Sequence, residues 1–302
     1  MPTTQATPNY LDPRVLAQVR GLELQARLVV EGYLAGQHRS QQHGFAVEFA
    51  QHREYVPGDD LKHLDWKVYG RTERYYLKQY ELETNLIAWI LVDASQSMSY
   101  GSGPVSKYDY ACMAAASLAY LIEQQTDSVG LAVFDAQVRK FLRPASQATH
   151  LRECVRALEA GTSAAPTKLG PVLHEIASRA VQRGLVMLFS DMFDDVPAIL
   201  SGLQHLRYDR HEVVVFHVLD AAELDFPFED PTLFRGLELP AELLTDPRGL
   251  RQGYLQQLND FQNQLARGCR AMNIDYVPLR TDREIGTALA RYLAHRLNRT
   301  KP

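Results

Sequence analysis

The stretch Leu86-Ile-Ala-Trp-Ile-Leu-Val92 contains no polar residue, and it ends abruptly at Asp93-Ala-Ser-Gln-Ser97. A half-exposed strand would alternate apolar and polar residues. A short, wholly apolar run instead demands burial on both faces, as in a parallel sheet covered by helices. Leu185 to Phe189 repeats the pattern, and Val213 to Val218 reads as a third apolar strand. Helical periodicity falls between them, at Tyr108 to Glu123, Leu151 to Glu159, Val172 to Arg183 and Val196 to Leu206, and Val129 to Phe134 with Val138 to Leu142 reads as a hairpin. Leu250 to Met272 reads as a long helix, and the strand Ile274 to Pro278 and the helix Arg283 to Leu297 close the series. Strands alternating with helices in this way predict an α/β fold with a doubly wound, mostly parallel sheet.

The first third lacks that rhythm. Asp12 and Pro13 open a helix that runs to Gly36, and short β-like pieces follow at Phe45 to Phe49 and Arg74 to Tyr80. We therefore expect an N-terminal helix and small β module over residues 1–84 and the α/β domain over residues 85–302. Residues 220–247, rich in Pro, Glu and Phe, read as an insertion of loops and short strands.

A formal net charge of -4 over 302 residues leaves no basic field for phosphate backbones, so nucleic acid is not an expected partner. Cys112, Cys154 and Cys269 are far apart and form no CxxC or Cys/His cluster, which suits reduced, buried thiols in a cytoplasmic protein. The start MPTTQATPNYLDP has neither the basic nor the apolar region of a signal peptide. No apolar run approaches the ~20 residues that a membrane helix needs, so direct insertion is not expected.

Chemistry is expected where Asp93 follows its strand, because ligands of open α/β sheets bind beyond the carboxyl ends of strands where the strand order reverses. One carboxylate and two hydroxyls at alternate positions of a tight turn can converge on one point. Hard oxygen donors of this kind suit Mg²⁺, which takes few protein ligands and keeps several waters. A plain capping turn would use the same residue types.

Asp93-x-Ser95-x-Ser97 resembles the metal-ion-dependent adhesion site of von Willebrand factor type A domains. That resemblance implies a Thr from a second loop and an Asp from a third. Thr167, ahead of a helix, and Asp191, in Ser190-Asp191 after the second apolar strand, are the candidates, with Thr162 the alternative for the former. The family often places glycines before its Thr, where this chain has Thr-Ser-Ala-Ala-Pro. A second resemblance rests on Arg53-Glu-Tyr-Val-Pro-Gly-Asp59-Asp60-Leu-Lys-His-Leu-Asp65-Trp66 with Arg71, Glu81 and Glu83, which is similar to the signature of the bacterial domain-of-unknown-function family fifty-eight. Genes of that family commonly accompany a MoxR-type AAA+ ATPase. The implied role is an adaptor or assembly factor that binds this ATPase or its client through Mg²⁺, with Mn²⁺ or Ca²⁺ as alternative ions.

Other features have plainer readings. Arg53, Asp59, Asp60, Asp65 and Trp66 form either an interdomain latch or a docking surface, and Pro57-Gly58 suits a type II turn. Asp194 and Asp195 read as caps of the helix that follows, and His52 and His63 as surface or packing residues. Gly101 to Lys107 resembles a phosphate loop superficially, but Ser106 replaces the needed Gly and Pro104 removes a donor, which leaves a flexible loop beside the metal. No catalytic residue is assigned. A metal-dependent hydrolase or phosphotransferase, the alternative function, would need a general base, and no His is expected beside the three strand ends.

Overall fold

The structure, a computed structural model, describes residues 21–27, 29, 30, 52–54, 76–78, 86–237, 242–287 and 289. The chain divides into two compact units, residues 37–85 and a larger unit of residues 1–36 with 86–302. In the smaller unit, β1 (His52–Glu54) pairs antiparallel with β2 (Tyr76–Lys78). The expected strand at Phe45 to Phe49 lies outside the described residues, as do Asp59, Asp60, Asp65 and Trp66. Arg53 is the middle residue of β1.

The larger unit is built on six strands: β3 (Ile87–Asp93), β4 (Ser128–Phe134), β5 (Val138–Ala145), β6 (Leu185–Ser190), β7 (Glu212–Leu219) and β10 (Asp275–Arg280). Their order is β10-β7-β6-β3-β4-β5, and all neighbours are parallel except the β4-β5 hairpin. The chain therefore travels outward from β3 to β4 and β5, returns to β6 on the other side, and continues to β7 and β10. The order reverses between β3 and β6, which sets a crevice at their carboxyl ends.

The apolar runs sort by face with a period of two. Ala88, Ile90 and Val92 join one core with the helix α1 (Lys107–Gln124) and α2 (Ala148–Leu158). Trp89 and Leu91 join the opposite core with α3 (Leu169–Arg179), α4 (Val196–Tyr208) and α6 (Pro247–Ala271). This is the alternation of a strand buried on both faces, and the burial of so many aliphatic side chains at ~25 cal/mol per Å² is the main stabilising term. Residues 22–27 and 29–30 are helical, and Leu22, Ala26 and Val29 pack in the first of these cores. The helix that the sequence groups with the small β module thus belongs to the unit carrying the sheet.

Three helices, α2, α3 and α6, begin three residues earlier than periodicity suggests, and for α3 and α6 the cause is visible. In α3 the carboxylate of Asp194 accepts the Leu169 N–H at 2.7 Å, and Pro171 is tolerated in the first turn, where no intrahelical donor is needed. In α6 the cap is Asp246, with Pro247 at the first helical position. The insertion forms the one-turn helix α5 (Ala221–Asp225) and the antiparallel strands β8 (Thr232–Arg235) and β9 (Glu242–Thr245). At the sheet margins, β5 exposes Arg139, Lys140 and Arg143 and contains Pro144, and β10 exposes Pro278. Among the described residues no helix is long and apolar enough to cross a membrane.

Candidate metal centre

Asp93 is the last residue of β3, and the chain turns at once through Ala94 and Ser95 into a 3-10 turn, Gln96–Ser99. The Asp93 carboxylate drives the turn: its Oδ1 accepts the Ser95 N–H at 2.9 Å. The hydroxyls of Ser95 and Ser97 lie 3.1 Å apart. Alternate positions have therefore converged, as the spacing implies.

Backbone bonds tie the second loop to this turn. Ser163 N–H donates to the Ala94 carbonyl at 2.7 Å, and Gln96 N–H donates to the Ala165 carbonyl at 3.1 Å. Asp135 supports the same loop from the end of β4, accepting the Ser163 hydroxyl at 2.7 Å and pairing with Arg139. The loop delivers a buried Thr167, whereas Thr162 is half-buried. Asp194, accepting both the Leu169 and Gly170 N–H groups, fixes the start of α3 just beyond Thr167, and Asp195 caps α4 through the Ala198 N–H. Asp194 thus joins the second loop to the third.

The third loop leaves β6 at Ser190. Its hydroxyl donates to Asp93 Oδ2 at 2.6 Å and accepts the Met192 N–H at 2.9 Å. Met192 occupies the left-handed region at φ 56°, an unfavourable conformation for a side chain of its size. The tight turn holds Asp191 beside Asp93. Burial, reinforced by the negative charge of Asp191, pushes the Asp93 carboxyl up to about 7, against the lowering effect of the Ser190 and Ser95 hydrogen bonds. Two buried carboxylates, Asp93 and Asp191, and the adjoining hydroxyls of Ser95 and Ser97, from the ends of β3 and β6, make a hard-oxygen set that suits a small divalent cation. Among the described residues no group of three or more His, Cys, Asp or Glu side chains could hold a metal, so a cation here depends on the hydroxyls.

Three further residues surround this centre: Glu223 and His217, to which the sequence assigns no role, and Lys107, which it places only at the end of a flexible loop. Lys107, the first residue of α1, is buried and directs Nζ to Asp191 Oδ2 at 2.8 Å and to Glu223 Oε1 at 2.7 Å. Burial alone would lower its pKa, but the two carboxylates overcome that and hold the ammonium firmly protonated. The strong capping box of Ser106 and Asp109 was the available signal, since it starts α1 where Lys107 must face the crevice. Glu223 comes from the insertion, and burial raises its pKa despite Lys107. His217 corrects the expectation that no His stands near a strand end. It lies two residues before the end of β7, fully buried, with Nε2 2.9 Å from the Asp191 carbonyl and Nδ1 against the Tyr276 hydroxyl. Burial, opposed by Asp191, lowers its pKa to about 4, so the neutral ring braces the third loop.

Beside the centre lies a cavity of about 660 Å³ whose lining includes Ser97, Lys107 and Asp191 and, from the insertion, Phe226, Phe228 and Phe234. The rings form a cluster: Phe226 lies 4.8 Å from Tyr254 of α6 and 5.7 Å from Phe234, and Phe228 lies 5.3 Å from Phe234.

Comparison with known proteins adds a family. Residues 51–263 match the family described as "Protein of unknown function DUF58". An uncharacterized protein of Mycobacterium tuberculosis is 26% identical over 292 residues, covering 94% of this chain and 90% of its own length, and one of Mycobacterium bovis matches equally. Neither carries the name of an activity. Among solved structures, the conserved hypothetical protein BatB from Bacteroides thetaiotaomicron matches at 18% identity and a TM-score of 0.45, covering 70% of this chain and 99% of its own. An aerotolerance-related membrane protein from Bacteroides fragilis matches at 18% and 0.42, covering 71% of this chain and 100% of its own.

Proposed function

The chain belongs to the DUF58 family, and from that premise and the site geometry we propose that it is a Mg²⁺-dependent protein-binding adaptor or assembly factor acting beside a MoxR-type AAA+ ATPase. The observation that carries the reading is the meeting of Asp93 and Asp191 at the reversal of strand order, with Ser95 and Ser97 in the same turn. We read the α/β unit as von Willebrand factor type A-like on this ground. Asp93, Ser95, Ser97, Thr167 and Asp191 would hold the ion. When bound, it offers a coordination position that a partner's Asp or Glu can complete. Mn²⁺ and Ca²⁺ are the competing ions.

Calorimetric titration of Mg²⁺ into the full chain should show binding that is absent in Asp93→Ala, with the far-UV spectrum unchanged. A capture from native lysate should yield the ATPase or its client with Mg²⁺ and lose it with chelator. Equal capture by Asp93→Ala would refute the adaptor reading.

A metal-dependent hydrolase is the second reading, and Glu223 is what favours it: a carboxylate of raised pKa lining the same cavity. Its ion pair with Lys107 and its bond from the Asp220 N–H, at 2.8 Å, weigh against a free base. Mg²⁺-dependent turnover of phosphoester or peptide substrates, lost in Asp93→Ala, would support the enzyme.

A further inference from the structure

We infer that the groove beside the metal centre takes an extended peptide segment in which an internal Asp or Glu is adjoined by a large apolar residue, the acid meeting the cation and the apolar side chain filling the aromatic pocket. The inference rests on the metal-dependent reading above and adds what kind of partner sequence that site selects.

The cavity is lined by two chemistries. Lys107 joins Asp191 and Glu223 near Ser97 in one polar group, and the rings of Phe226, Phe228 and Phe234 form a separate apolar one. Such a volume, mostly apolar with a few convergent polar groups, is the usual form of a recognition pocket. Its rim also departs from an ordinary soluble surface: Phe193 is 66% exposed, Leu233 43% and Leu237 39%, and all three line this one cavity. Leu244, on the paired strand β9, is 72% exposed. Contiguous exposed apolar surface of this kind marks an interaction site.

A second cavity of about 460 Å³ shares Lys107, Asp191 and Phe193 and continues along α6 to Leu258 and Phe261. The two cavities meet at Lys107, Asp191, Phe193, Glu223 and Tyr254, so the groove continues past Asp191 along α6. A terminal carboxylate would need only one side, whereas a chain passing across the centre uses both, which favours an internal acid. Charge sets the polar part: Lys107 is already paired with Asp191 and Glu223, so a bound divalent ion is what would attract a carboxylate there, while Arg235 beside the aromatic rings is itself paired with Glu242.

The test uses an array of end-blocked octapeptides with an internal Glu fixed and the other positions varied, together with versions ending in a free carboxylate. The purified full chain is applied with MgCl₂ or with chelator. Retention should require Mg²⁺ and favour Phe, Leu, Ile or Trp next to Glu, with about tenfold weaker binding when Ser replaces the apolar residue. Phe234→Ala, and independently Leu233→Ser at an exposed position, should abolish that preference while leaving the Mg²⁺-induced thermal shift intact. Retention of Glu peptides without apolar preference, a preference unchanged in both variants, or binding of free carboxyl termini alone would overturn the inference. A thermal shift by Mg²⁺ with no peptide retained would overturn it while sparing the metal site. Loss of the thermal shift in the native chain would sink both.

Discussion

Lys107 Nζ lies 2.8 Å from Asp191 Oδ2, and both side chains are only 3% exposed. A buried ammonium therefore already neutralises one of the carboxylates proposed to hold the cation. Removing it strands Asp191 and Glu223 in a water-poor crevice, and breaking a buried pair of this kind typically costs ~3–5 kcal/mol. Lys107→Met should be destabilised by that order in urea titrations with chelator, and Mg²⁺ should restore more stability to it than to the native chain. Equal effects of Mg²⁺ on both proteins would show that the ion does not bind beside Asp191.

Ser190 bridges the two strand ends through its bond to Asp93 Oδ2. Groups that orient a metal-binding carboxylate commonly change affinity by ~10–100-fold when lost. Ser190→Ala should lower Mg²⁺ affinity by about that factor in calorimetry and cost ~1–3 kcal/mol of stability, since the buried carboxylate loses a donor.

Asp194 holds the start of α3 from the third loop. Asp194→Ala removes a capping interaction worth ~1 kcal/mol and frees the segment that carries Thr167. Mg²⁺ affinity should fall although Asp194 is not assigned as a ligand. Hydrogen exchange should quicken at the Leu169 and Gly170 amides, and unchanged exchange there would contradict the bridge.

Asp220 caps α5 and accepts the Thr281 hydroxyl at 2.8 Å and the Ser102 N–H at 3.2 Å. Burial opposes these bonds, yet they prevail and hold its carboxyl below the usual range. A lowered folded pKa contributes stability that is present above the unfolded value of ~3.9 and is lost as pH falls through the folded one. Asp220→Asn should therefore be less stable at neutral pH by ~1–2 kcal/mol and show a shallower loss of stability below about pH 4, read by denaturation at stepped pH.

The layered sheet was legible because burial on both faces leaves an unbroken apolar signature, as in Ile87 to Val92. The start of α3 was not, because Asp194 acts from a distant loop, and that of α6 was missed because its Asp246-Pro247 cap, of the same kind as Asp12-Pro13, fell inside the stretch read as an insertion. Asp93 was legible from its place after an apolar strand, and Asp191 came only from the resemblance to von Willebrand factor type A domains. Lys107 and Glu223 were not, since an ion pair across 116 residues leaves no local pattern. His217 was concealed by its setting, a polar ring within a strand whose neutrality comes only from the packing around it.

The two outer strands of the sheet have a consequence for how this chain behaves when crowded. Pro144 cannot donate to a ladder, the arginines and lysine of β5 repel a second copy of themselves, and Pro278 interrupts the opposite margin. Neither margin of the six-stranded sheet offers the flat, uncharged row of amides on which fibrils grow, so this sheet is a poor template for stacking strand on strand.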